Sequence, residues 1–531
     1  MCLATVVRMR RHLLPALSFA TLMLSTTALS TGCAPGLAAN PRFATDAGAH
    51  PQGAVRTDKP APSPPPIAAP KKELTWHECT GQVFGSASVP PVADVNLECS
   101  TYDANLDALN GASGTVSIGV VRARSSATPA DAGPVVVTTG TDLPTSQQLP
   151  VWLSRSGTDL LKSHPIVAVD RRGMGLSTSI SCRDTSDRED MLNQAQFQGG
   201  DDPVANLAAI AQSATTSCTD TLAPGTSAYG NSQAADDLER LRSTWDVPTL
   251  AILGIGNGAQ VALAYASAHP TKVSRLVLDS PLPLGINAES ATEQQVKGAQ
   301  TALDAFATSC VAINCPLGPD PKGAIDALLG TARAGRGVGG NSAAAITDAI
   351  TTALGFPHGD GPANTAALAG VLAAARDGDD APLNAMVSAA QQMRQTDGQY
   401  VGSCTDAINR PTPDRIRQLL VAWPKLYPQF GASGALSLAK CLSWPSVSAV
   451  PDPKNLTFPI LLLGSHADAI IGNEGVAAVS ATAINAGTSS RRVMWQGIGH
   501  GAVVYTPCAM APVQNYFDSG KLPETDTFCP A

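Results

Sequence analysis

Two late residues have the types and the setting for proton transfer. His500 stands in Gly497-Ile-Gly-His500-Gly501, after an apolar run that ends near Gln496, and Asp468 follows another run that ends at Gly464. An imidazole held by a carboxylate can take a proton from a nucleophile and later return it to a leaving group. Such a pair needs a nucleophile presented on a sharp strand-to-helix turn. The stretch with that outline is Thr249-Leu-Ala-Ile-Leu-Gly254-Ile255-Gly256-Asn257-Gly258-Ala259, where three glycines fall within five positions. Positions 256, 468 and 500 keep the order nucleophile, acid, histidine, and the frame is G-x-S-x-G, but the residue at its point is Gly256. In the bland reading His500 is a structural histidine and Asp468 a solvated loop acid; Glu474 is the substitute candidate for the acid.

The same glycines fit a dinucleotide loop. Gly254-x-Gly256-x-x-Ala259 follows an apolar run and opens a helical stretch, and Asp279 ends the next apolar run about twenty residues on. Against this reading, the unit sits in mid-chain behind at least three expected strands, and the late Asp468 and His500 suit a different chemistry. Both readings require a strand, a tight turn and a helix at 249–265.

The elements that would carry these residues are legible as short apolar runs. Strands are expected at Val116–Val121, Pro134–Thr139, Pro165–Asp170, Thr249–Gly254, Ser274–Asp279, Pro459–Gly464 and Arg491–Gln496. A helix is expected at Asn231–Arg242, with Leu238 and Leu241 on one face. Strands alternating with helices predict an α/β fold with a largely parallel sheet. From residue 284 to 450 the chain turns Ala-rich, with helical spacing at Ala299–Cys310, Ala344–Leu354, Ala366–Arg376 and Asp414–Trp423. The organisation read from this is a core at 73–283 and 451–531, interrupted by a helical cap at 284–450.

Ahead of the core, Arg8, Arg10 and Arg11 precede an apolar stretch that ends in Leu29-Ser-Thr-Gly-Cys33. Residues 1–33 therefore read as an export signal. The final pattern resembles a bacterial lipobox, in which Cys33 becomes the lipidated first residue; an uncleaved anchor is the alternative. Residues 34–72, rich in Ala, Pro and Gly, read as an extended tether. Apart from Cys2 and Cys33, ten cysteines are spread widely with no C-x-x-C pair, so disulfides in an oxidising compartment are expected and no metal or cofactor is. Sequence leaves their pairing open, neighbours being the natural guess. In 531 residues the formal net charge is -8 with 15% charged residues and no long basic run, which argues against a nucleic-acid partner.

Several ordered motifs together resemble a known group, the actinobacterial exported tripeptidyl aminopeptidase-like α/β-hydrolases of peptidase family S33. They are Asp170-Arg-Arg-Gly-Met-Gly-Leu-Ser177 followed by Cys182, Asp237-Leu-Glu-Arg-Leu-Arg242, and Tyr265-Ala-x-x-x-Pro270-x-x-Val273-x-Arg275-Leu-Val-Leu-Asp279. To these are added Cys441-x-x-Trp444-Pro445 and Gly520-Lys-Leu-Pro523 before Cys529. The resemblance implies an α/β-hydrolase fold with a helical cap, a site at Gly256, Asp468 and His500, and disulfides 79–99, 182–218, 310–315, 404–441 and 508–529.

Two departures matter. The nucleophilic Ser is Gly256, and the oxyanion region of Gly140, Thr141 and Asn257 carries Asp142 in Gly140-Thr-Asp-Leu-Pro144, where the family has a Gly-Gly-Pro-Gly-type run. A transition state at this point needs N–H donors, each costing about 10²–10³ in rate when lost; a carboxylate is the opposite. Glycine tolerates the unusual backbone of an elbow, so the fold can survive the loss of the Ser. The expectation is a degenerate hydrolase, lipid-anchored at the cell envelope, that keeps a cleft for a peptide or other small envelope ligand. The alternatives are a working hydrolase using water or a displaced Ser (Ser146 and Ser280 are the neighbours considered), and a dinucleotide-binding protein.

Overall fold

The computed structural model describes residues 65–107 and 111–531. The expected export signal, Cys33 and the tether up to residue 64 lie outside the described residues. The end of the expected tether packs on the core: Lys71 N–H donates to Trp245 O at 2.9 Å, and Ile67 and Ala68 lie against core side chains.

Among the described residues ten strands form one sheet in the order β1-β2-β3-β5-β4-β6-β7-β8-β9-β10. They are β1 (His77–Glu78), β2 (Val95–Asp107), β3 (Ala112–Ser125), β4 (Val135–Thr138), β5 (Ile166–Val169), β6 (Leu250–Ile255), β7 (Val273–Asp279), β8 (Ile460–Ala467), β9 (Ser490–Ile498) and β10 (Thr527–Cys529). From β5 across to β10 every pairing is parallel, while β1, β2 and β3 form an antiparallel flank joined to β5. Strands β4 to β7 are buried at every residue, which is why they read as continuous apolar runs: helices cover both faces of a parallel sheet. β2 is different. Its sequence, VNLECSTYDANLD, alternates buried and exposed positions and includes acids and Asn, so it gave no apolar run to find.

The expected helices form, among them Asn231–Trp245, Ala288–Ala312, Ala343–Gly355, Gly361–Arg376 and Pro413–Leu426. The cap is not one insertion, however. Helices Thr185–Leu192 and Pro203–Leu222, from the segment between β5 and β6, contribute Met191, Val204, Leu207 and Ala211 to the same apolar cluster as Phe306, Ile346, Val401 and Trp423. Two pieces of chain far apart in sequence thus share one cap core.

Among the described residues five disulfides form, each between neighbours: Cys79–Cys99, Cys182–Cys218, Cys310–Cys315, Cys404–Cys441 and Cys508–Cys529. This set is the one the family resemblance implies, and it suits an oxidising compartment. Among the described residues no helix is long and apolar enough to cross a membrane.

Candidate active site

The site lies at the carboxyl ends of the parallel strands, where open α/β sheets place their ligands. β6 runs into Gly256, with φ 57° and ψ −121°, and the chain turns at once into the helix Asn257–Ala268. The flanking glycines permit this. A Cβ on Gly254 would lie 2.6 Å from Gly258 O, and one on Gly258 would lie 1.9 Å from Thr138 O. The frame is therefore a nucleophile elbow in backbone geometry, although no hydroxyl stands at its point.

The dinucleotide reading does not survive. Asp279, the acid it would aim at a ribose, is fully buried at the end of β7 and accepts the Val503 N–H at 2.7 Å. Burial raises its pKa to about 6. The Gly256 N–H, which would face a pyrophosphate, donates instead to Asp279 O at 2.8 Å.

Asp468 and His500 come together as the sequence suggests. Asp468 follows β8 and His500 follows β9; His500 Nδ1 lies 2.9 Å from Asp468 Oδ2 and 3.1 Å from Oδ1. Asp468 Oδ1 also accepts the Ile470 and Ile471 N–H groups at 2.9 and 3.0 Å, which fixes the carboxylate. The His500 N–H donates to Gly355 O of the cap at 2.8 Å, and Phe356 sets its ring edge-on to the imidazole. Glu474 is elsewhere, paired with Lys297.

Asp142 is the decisive residue. Its Oδ2 accepts the backbone N–H of Asn257 at 2.7 Å, and Oδ1 accepts the Asn257 side-chain amide. That backbone N–H follows the elbow residue, and in an elbow hydrolase it is half of the oxyanion hole. Asp142 Oδ2 also lies 3.3 Å from His500 Nε2. A Cβ built on Gly256 would meet Asp142 Oδ2 at 1.9 Å and His500 Nε2 at 2.6 Å. The carboxylate thus fills the space of a nucleophile's side chain and takes the oxyanion donor and the imidazole edge that a nucleophile would use. Gly140 carries the loop to this place with φ 61°, and a Cβ there would meet Asn257 C at 2.5 Å. Thr141 is buried beside it, and Gln399 of the cap donates to Asp142 O at 3.2 Å.

His500 therefore sits between two carboxylates. Burial alone would push its pKa down, but Asp468 and Asp142 outweigh this and raise it to about 10. The two carboxylates, one at each ring nitrogen, favour the imidazolium form. Neither neighbouring Ser replaces the nucleophile: Ser146 Oγ donates to Asp170 at 2.7 Å and Ser280 Oγ to Asp279 at 3.3 Å.

The Asp170-Arg-Arg motif proves to be scaffolding. Asp170 ties the Ser146 and Leu176 N–H groups, Arg172 forms a two-pronged pair with buried Asp237, and Arg171 reaches Asp406 of the cap at 2.6 Å. The Asp237 partner explains why the sequence carries that acid on the helix before β6.

A cavity of about 670 Å³ opens between core and cap, lined among others by Asp142, Asn257, Gln399, Tyr400, Arg410 and Lys440. That volume is within the range of small-molecule sites.

Two family models agree with this architecture. Residues 149–319 match a family model described as alpha/beta hydrolase fold, and residues 427–529 match one described as TAP-like protein. A segment of 164 residues is 27% identical to "Serine protease Hip1" of Mycobacterium tuberculosis and, equally, of Mycobacterium bovis. The match spans 30% of this chain and about a third (32%) of those relatives. Among solved structures, esterase RhEst1 from Rhodococcus sp. ECU1013 is 15% identical, with TM-score 0.36, over 79% of this chain and 99% of that one. A thermophilic esterase from Thermogutta terrifontis is 14% identical, with TM-score 0.33, over 79% and 100%. The chain has the α/β-hydrolase fold, and its two family matches support a TAP-like α/β-hydrolase.

Proposed function

We propose that this protein is a catalytically degenerate relative of the tripeptidyl aminopeptidase-like hydrolases, exported and held at the cell envelope through Cys33, whose cavity binds a peptide or another small envelope ligand. One observation carries the reading: the Asp142 carboxylate lies on the Asn257 N–H and against His500, in the space a nucleophile's side chain would need. The five disulfides support export, and the cavity supports binding.

Restoring Ser at position 256 alone drives its Cβ into Asp142, so Gly256→Ser is expected to stay silent. Asp142→Gly removes the carboxylate but supplies no nucleophile. Only the double variant restores both a hydroxyl and a free donor. The test is labelling by a fluorophosphonate probe, with turnover of short peptide and ester substrates, by the natural protein, both single variants and the double variant. Labelling of the double variant alone is the expected result. Turnover by the natural protein that disappears in His500→Ala would show a working hydrolase and sink the proposal.

A further inference from the structure

The charged groups that line the cavity between core and cap are unequally matched. Its two carboxylates are already engaged: Asp142 by Asn257 and His500, and Asp406 by Arg171 and the Asn231 N–H. Of its four cations, Arg183 is paired with Asp397 at 2.8 Å and Arg394 reaches Asp348 at 3.5 Å. Neither of the other two makes a direct ion pair with a carboxylate among the described residues. Arg410 donates only to carbonyl oxygens and a hydroxyl: Nη1 to Trp444 O and Ser446 Oγ, Nη2 to Cys404 O and Pro445 O. Asp348, Arg183 and Arg394 are the charges that act on the Lys440 ammonium, none of them through a direct ion pair.

The backbone segments that carry these two cations are joined. Arg410 is anchored on Cys404, and Cys404 is disulfide-bonded to Cys441, the residue after Lys440. The Tyr400 hydroxyl donates to Lys440 O at 3.4 Å, and its ring lies under the Arg183 guanidinium. An unpaired charge in such a place is costly unless a counter-charge arrives. Burial accordingly pushes Lys440 down to about 8 and also lowers Arg410, while Asp348 supports the Lys440 charge only partly.

We infer that the cavity recognises a ligand by a carboxylate group, which the Lys440 ammonium receives with Arg183 and Arg394 adding positive charge around it. The inference rests on the reading of this cavity as a ligand site and names the chemistry of what enters it. A free amine would need an unengaged carboxylate, and the lining offers none among the described residues. A phosphate is matched less well, because its second negative charge would face no further unpaired cation. Here both Arg410 terminal nitrogens are held by main-chain carbonyls. A single ammonium is a point-charge donor suited to a monoanion.

The test is calorimetric titration of the full-length protein with four probes: acetyl-trialanine as the free acid, acetyl-trialanine amide, trialanine amide with its free amine, and inorganic phosphate. The free acid is expected to bind at least tenfold more tightly than acetyl-trialanine amide. Lys440→Met is expected to abolish that difference and Lys440→Arg to retain much of it, with melting curves showing that both variants fold. Equal binding of acid and amide overturns the carboxylate inference but leaves the cavity as a ligand site. Tighter binding of the free amine or of phosphate overturns it in favour of those groups. Absence of binding by every probe at millimolar concentration overturns it as well, while the degenerate-site reading is decided separately by the labelling of the double variant.

Discussion

A methyl group on Gly256 would sit 1.9 Å from Asp142 Oδ2, and the backbone there has φ 57°. Positions 142 and 256 are therefore coupled, and the same pair of changes that removes a nucleophile also creates a buried ion pair. Gly256→Ala is expected to destabilise the protein by about 1–3 kcal/mol, from strain and the clash together. In an Asp142→Gly background the cost should fall, leaving a coupling on the order of 1 kcal/mol in a double-mutant cycle read by urea denaturation. His500 carries a second prediction. Its folded pKa, about 10, is above the ordinary 6.5, so its stabilising contribution is fully present below pH 6.5 and is lost as pH rises through about 10. Imidazole resonances assigned by difference from His500→Gln should show no titration between pH 5 and 8; a midpoint near 6.5 would refute the double ion pair.

The elements meet at a seam built from buried charge. Asp397, at the start of the cap helix Asp397–Asp406, accepts the Cys182 and Arg183 N–H groups at 2.6 and 3.0 Å and pairs with Arg183 and Arg188. Burial would raise its pKa, but these N–H donors and the Arg183 charge hold it below the usual carboxylate range. Its contribution is thus present above the unfolded pKa and lost as pH falls through the depressed one. Asp397→Asn leaves the buried Arg183 without its counter-charge and is expected to cost about 3–5 kcal/mol, measured by chemical denaturation at pH 7. This seam was not legible in advance. The helical run at 284–450 is visible in the sequence, but nothing local tells which layer the amphipathic helices at 185–222 join.

At the scale of the molecule, no disulfide among the described residues crosses from core to cap. Cys79–Cys99 and Cys508–Cys529 lie in the core, and Cys182–Cys218, Cys310–Cys315 and Cys404–Cys441 staple the two pieces of the cap. Core and cap are held to each other by packing and polar contacts such as Arg171–Asp406. Cys508 and Cys529 tie β10 beside β9, the strand that leads to His500. Replacing both by Ser is expected to lower stability by about 2–4 kcal/mol, read as a shift in the denaturation midpoint without reductant. An unchanged midpoint would mean that β10 holds its place without the bridge.

The sequence by itself determined the parallel sheet, the elbow frame, the order of positions 256, 468 and 500, and the missing hydroxyl. Each of these rests on a local signal: an apolar run, a glycine spacing, an identity at one position. It also marked Asp142 as a charge of the wrong sign in the oxyanion region. Only the tertiary structure decided where that charge goes. The loop after β4 and the turns after β6 and β9 converge from positions 142, 256 and 500, and no pattern within any one segment encodes a 3.3 Å approach between two of them. The unmatched cations of the cavity are of the same kind, because a charge is unpaired only with respect to everything the fold has brought around it.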